Sequence, residues 1–147
     1  MRDWLLFFHI LGAAGWVGGG IYGWISTRQL ARNPGRIGKS LELMASAGGR
    51  FFGPFVGLTV LSGIALVWTQ EAWGWSDAFV LIGLGAVVFS GAWQPLVAQK
   101  TDTDLIEKAG AGGDTSRELV AYDRNAAIEL AVLLFVLWSM VFKLGAG

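Results

Sequence analysis

Four stretches of this chain are nearly free of charge, and each is about long enough to cross a lipid bilayer. Trp4 to Ile25 has no ionisable side chain except His9 and Tyr22. Phe51 to Trp68 and Ala78 to Ala98 carry no charge, and Ala126 to Phe142 carries only Glu129. A helix needs about 20 residues to cross a hydrocarbon core of about 30 Å, and isolated strands there would leave their backbone unsatisfied. The expected fold is all-α, a four-transmembrane-helix bundle with helices over about 4–25, 49–69, 77–98 and 124–143 in one integral membrane domain, 1–147.

Composition narrows the function. Charged residues make up 15% of the chain, against about 25% in soluble domains. Once four spans are placed, little is left for a soluble catalytic domain or a nucleic-acid module. The expected partner is the lipid bilayer, with no nucleic acid, and a homodimer or larger membrane complex stays open. The absence of cysteine excludes disulfides, thiolate metal sites, iron-sulfur clusters and covalent c-type haem. Met1-Arg2-Asp3 and the apolar run after it read as an uncleaved first helix, because the run has span length and flows into a basic loop.

The bases are distributed unevenly. Arg28, Arg32, Arg36, Lys39 and Arg50 lie between or bordering helices 1 and 2, and Lys100, Lys108, Arg117 and Arg124 lie between helices 3 and 4. Only Arg2 and Lys143 fall on the other side. By the positive-inside rule both long loops are cytoplasmic and the topology is N-out/C-out. Trp4, Trp68, Trp73, Trp75 and Trp138 fit one interfacial belt and Trp24 and Trp93 the other, with Trp16 alone in mid-span. The expected location is a multi-pass position in a prokaryotic cytoplasmic membrane. Asn33-Pro34-Gly35 signals a turn in the first loop. In the second, Gly110 to Gly113 marks a break, followed by a capping box at Thr115 and Glu118.

Glycines recur every four residues as Gly15, Gly19 and Gly23 in helix 1 and as Gly49, Gly53 and Gly57 in helix 2. Such rows let membrane helices approach closely. They predict a tight crossing in the inner half, beside a kink at Pro54, which lacks an N–H.

Ionisable groups at membrane depth tend to face the bundle interior and to be paired. Arg50 and Glu129 lie near the same side of the bundle, which predicts an ion pair. A proton relay through Glu129 with Gln94 is the functional alternative, and simple snorkelling the bland one. His9 is the single histidine, on a stripe with Gly12, Trp16 and Gly23. A buried imidazole of this kind either hydrogen-bonds a neighbouring helix or ligates a metal or haem iron. Met140 falls at about the same depth on helix 4, so a His/Met axial pair is one arrangement. A five-coordinate iron, or two His9 residues sharing one haem across a dimer, are the others.

The segment from His9 to Gly19 resembles the first-helix signature His-x6-Trp-x-Gly-Gly of copper-resistance D-like membrane domains. It also resembles that of a nearby family of uncharacterised four-helix integral membrane proteins, to which Phe51-Phe-Gly-Pro-Phe55 and Leu61-Ser-Gly63 are similar too. A more distant resemblance is to the HemJ-type protoporphyrinogen oxidases, whose first-helix histidine, matching His9, is implicated in haem b binding. The chain departs from that pattern after the glycines, reading Ile21-Tyr-Gly-Trp-Ile-Ser-Thr-Arg28, and helix 3 has no lysine. The HemJ-type resemblance therefore implies a haem b site at His9, with Trp16 in the shared first-helix motif and redox or electron-transfer use, without the oxidase activity; Met140 joins the candidate site by its depth on helix 4. A non-enzymatic membrane subunit, channel or transporter-like scaffold is the alternative function. Copper handling is third, since soft Cu(I) sites want Cys, Met or His ligands and this chain has one His and three Met.

Overall fold

The computed structural model describes residues 1–30, 50, 53–70 and 74–143. Five α-helices account for most of them: α1 (Arg2–Leu30), α2 (Gly53–Thr69), α3 (Ala78–Trp93), α4 (Gln99–Gly110) and α5 (Ser116–Val141). No strand occurs among the described residues. Arg2–Ser26, Ala78–Gly110 and Ser116–Val141 are long and apolar enough to cross a membrane, and α2 is a shorter apolar helix. The expected all-α plan of four apolar helices is thus present. Gly49 and the turn at Asn33-Pro34-Gly35 lie outside the described residues. So does the 51–52 segment before Pro54, where the expected kink would fall; within α2 as described, Pro54 stands in the first turn.

A π-helical turn, Gln94–Ala98, joins α3 to α4 without ending the helix. Pro95 accounts for it: proline has no N–H and its ring crowds the preceding turn, and widening the helix by one residue relieves the clash. Beyond it α4 folds back on α5. Leu105 is fully buried among Ile106, Ala109, Leu119 and Tyr122, and Lys108 Nζ donates to Glu118 Oε1 at 2.5 Å. Helix α4 stops where Gly112 takes a φ of +68°, which lets the Gly113 N–H reach the Lys108 carbonyl at 3.0 Å. The capping box is not formed. Thr115 makes no side-chain cap; instead Asp114 Oδ1 accepts from the Ser116 N–H at 3.0 Å and from its hydroxyl at 2.5 Å, while Glu118 is taken by Lys108.

Helix α1 packs on both α2 and α5, and α5 packs in turn on α3; α2 and α3, although consecutive, have no extended contact. The α1–α2 crossing differs from the one the glycine rows predict. A Cβ added at Gly12 would lie 2.7 Å from the Thr59 backbone nitrogen and 2.9 Å from the Phe55 carbonyl oxygen, and one at Gly15 would run into the Phe55 ring. A Cβ added at Gly23, Gly53 or Gly57 would meet no described atom of another element within 4 Å. Gly19 is half-buried, and its neighbour Gly20 faces Leu130 and Leu133 of α5. Among the described residues the close approach therefore falls at Gly12 and at Gly15, the first glycine of the predicted α1 row, where the Thr59 and Phe55 region of α2 arrives.

Few apolar side chains are buried, whereas Trp68 is 79%, Val88 71% and Leu61 70% exposed. Large contiguous apolar surface of this kind marks contact with another apolar phase.

Asp102, in the first turn of α4, lies past the charge-free run 78–98 of the continuous helix Ala78–Gly110. Burial pushes its carboxyl from 3.8 up to about 6, and because the π-turn continues the helix, no free N–H groups are there to offset that cost. The folded protein then binds this proton more tightly than the unfolded chain does. Stability from this group falls as pH rises from about 4 through 6 and is level above that. Melting temperatures of wild type and Asp102→Asn across that range should converge at the acidic end, with the variant the more stable at neutral pH. Parallel curves would show that Asp102 is not the cause.

Candidate functional site

A cavity of about 330 Å³ lies between the α1–α2 pair and the α3–α5 pair, where α2 and α3 fail to close on each other. Its walls are aliphatic. Val60, Ile64 and Val67 come from α2, Val80, Leu84 and Val87 from α3, and Leu133 and Val136 from α5. His9 and Trp16 of α1 and Met140 of α5 line the same space. The three residues singled out in the sequence, from two helices more than a hundred residues apart, therefore share one cavity.

His9 is placed by its contacts with α2. Its Nδ1 lies 2.9 Å from the Thr59 carbonyl oxygen. A carbonyl can only accept, so Nδ1 carries the hydrogen and Nε2 of the neutral ring holds the lone pair. Gly63 makes room for the imidazole, since a Cβ there would sit 3.0 Å from His9 Cε1. Ser62, one turn from Thr59 and Leu58, donates its hydroxyl to the Leu58 carbonyl, which keeps it from competing strongly for the ring. Both uses considered for the histidine are then compatible: Nδ1 ties α1 to α2, and Nε2 has no hydrogen-bond partner among the described residues. An N–H donated to a backbone carbonyl fixes the tautomer and orientation of metal-ligating histidines.

Met140 serves first as a packing group, its Cε lying where a Cβ on Gly83 would come within 2.7 Å. It bridges α5 to α3 at the cavity wall. The donor set fits a haem-type group in one respect, an oriented imidazole in an apolar cleft. Among the described residues no three His, Cys, Asp or Glu side chains converge on one point.

The expected Arg50–Glu129 ion pair is not formed. Glu129 Oε2 accepts from Gln94 Nε2 at 3.3 Å, and Arg50 is exposed. The reason is local: Gln94 opens the π-turn on the α3 face packed against α5, and its amide reaches the carboxylate first. One turn further along, Asn125 Nδ2 donates to Thr101 Oγ1 at 3.1 Å. Arg28, rather than Arg50, makes an ion pair from its helix to α5 at this end, with Asp123 at 3.4 Å, and its guanidinium lies 4.2 Å from the Trp24 ring centre.

Thr59, Gly63, Gly83, Arg2 and Lys143 also line the cavity and are not read as site residues from the sequence, where Arg2 and Lys143 enter only through the charge asymmetry and Gly63 only through the helix 2 resemblance. Thr59 and Gly63 are spaced by four and so share one helical face, a signal open to sequence inspection. Nothing in the sequence indicates that Gly83 receives Met140. Neither the protein-family models, nor the curated proteins, nor the solved structures compared with the chain match it.

Proposed function

We propose that this chain is a four-span membrane protein that holds a haem b-type group in the cavity, with His9 Nε2 as the axial donor and one-electron redox transfer as its use. The observation that carries the reading is the Nδ1–Thr59 hydrogen bond, which orients His9 in a cavity walled mainly by apolar side chains. In this reading Thr59 and Gly63 position the ring, Trp16 and the aliphatic walls exclude water, and Met140 stands on the α5 side. Bound haem supplies a one-electron couple, tuned by its axial ligand and by the low polarity around it. The distant resemblance of the His9 to Gly19 segment to HemJ-type first helices, whose histidine is implicated in haem b binding, supports the same assignment. The protein purified from cells supplied with haem should show a Soret band; a colourless protein would favour the scaffold reading, in which His9 serves only to join α1 to α2.

The membrane reading rests on the apolar helices and on their exposed tryptophans and aliphatics. Its orientation rests on the asymmetry of the bases and puts the end carrying Arg2, Lys143 and the 70–77 connection outside. The chain has no cysteine, so single probes can be labelled without background. In intact cells Ser76→Cys should react with an impermeant thiol reagent and Thr103→Cys should not. The reverse pattern would invert the topology.

A further inference from the structure

Glu129 is the one carboxylate within the four apolar stretches of the sequence, and the haem reading gives it no task. It lies five residues past Arg124 on α5, about 7–8 Å along the helix. No base pairs with it among the described residues. Its partner is the Gln94 amide, whose Nε2 donates to Oε2 at 3.3 Å. Polar groups continue from this pair in both directions along the α3–α5 contact. Toward the basic loops, Asn125 is buried one turn back on α5 and donates Nδ2 to Thr101 Oγ1 at 3.1 Å. Toward the cavity, Ser90 stands one turn before Gln94 on the buried face of α3. It is 7% exposed, and its hydroxyl has no hydrogen-bond partner. One turn beyond Ser90 on α3 and beyond Glu129 on α5, Ala86 and Leu133 already line the cavity. The charged groups that the packed elements bring to this end of α5 are Arg28 of α1, which pairs with Asp123, and Lys100, Asp102 and Asp104 of α4; α3 and the π-turn bring none.

This arrangement suits a proton rather than a metal cation. Hard cations take six or more oxygen ligands, whereas the Glu129 carboxylate meets an N–H donor and, as noted, no three metal-ligating side chains converge. One proton makes the carboxylate neutral, and ionisable groups at membrane depth mark proton relays and ion pathways. Buried hydroxyls are normally hydrogen-bonded, so Ser90 has capacity left for a water beside the carboxyl group. The ladder is polar toward the loops and turns apolar at the cavity wall, which sets the side from which a proton arrives. We propose that Glu129, with Gln94 and Ser90, forms a proton-binding site beneath the cavity that is filled from the basic-loop side. In it the carboxylate gains one proton and becomes the neutral acid. The site stands whatever group the cavity holds.

The test uses the full chain in phosphatidylcholine vesicles, with one orientation selected through the thiol of Ser76→Cys. Dicyclohexylcarbodiimide enters the bilayer and adds to a carboxyl group only in its protonated form, and the residues it modifies are mapped by mass spectrometry. Labelling of Glu129 should fall at least about tenfold, the loss that one pH unit past a titration midpoint gives, when the loop side alone is taken from acid to alkaline. It should stay constant when only the Ser76 side is changed. A water-soluble carbodiimide added on the loop side should leave Glu129 unmodified while it labels the exposed Asp104. Labelling that follows the pH of the Ser76 side, ignores pH, or is absent at acid pH on both sides overturns the proposal. Equal reaction with the water-soluble reagent overturns it too, since Glu129 would then only snorkel into water. Haem enters no arm of this experiment, so the fate of the haem reading and that of the proton site are decided separately.

Discussion

His9→Ala should retain the four-helix fold and lose haem, with affinity falling by at least about tenfold. Changing only an outer partner of a metal ligand typically costs 10–100-fold, and this substitution removes the ligand itself. The fold should survive because the α1–α2 contact does not depend on the imidazole. It is held at Gly12 and Gly15 against Thr59 and Phe55, and loss of one hydrogen bond to Thr59 costs about 1 kcal/mol. Added imidazole should restore part of the Soret band in the variant, since the cavity keeps the space that the ring vacates. Gly63→Ala provides a finer check. A methyl 3.0 Å from His9 Cε1 and 3.2 Å from Nδ1 displaces the ring without deleting the donor, so the spectrum should shift while haem is retained more weakly. An unchanged spectrum in His9→Ala would remove His9 from the site.

The helices were legible because a charge-free run of span length admits few other structures. The residues at the cavity were legible in part. His9 stood out as the single histidine, Trp16 shared its helical stripe, and Met140 matched its depth, and the three line one cavity. Rotation of each helix about its axis was not legible. Gly12, Gly15, Gly19 and Gly23 are indistinguishable by spacing alone, and which of them meets α2 depends on where the Thr59 and Phe55 backbone arrives. The Arg50–Glu129 pair failed for a related reason. Depth made the two compatible, but the π-turn at Pro95 brings Gln94 to the carboxylate, and a proline in a helix does not announce whether it will kink or widen it.

That unresolved rotation leads to the largest expected effect on stability, Gly12→Leu. The added side chain would meet backbone on two sides, the Thr59 nitrogen at 2.7 Å and the Phe55 oxygen at 2.9 Å from its Cβ alone. Backbone cannot move aside as a flexible side chain can, so α1 and α2 must separate. Overpacking costs about 1–3 kcal/mol where a core can adjust, and at this position the upper end of that range or beyond is expected. Gly57→Leu and Gly85→Leu, where no described atom lies within 4 Å of an added Cβ, should cost far less, although Gly57 belongs to the row that spacing alone marks as critical. The three variants can be ranked by thermal unfolding in one detergent. Separation of α1 from α2 would also break the His9–Thr59 hydrogen bond, so Gly12→Leu should weaken haem retention while Gly85→Leu leaves it intact. If Gly57→Leu proved the most damaging of the three, the crossing would lie along the Gly53–Gly57 row, and the placement of His9 against Thr59 and Gly63 would fall with it.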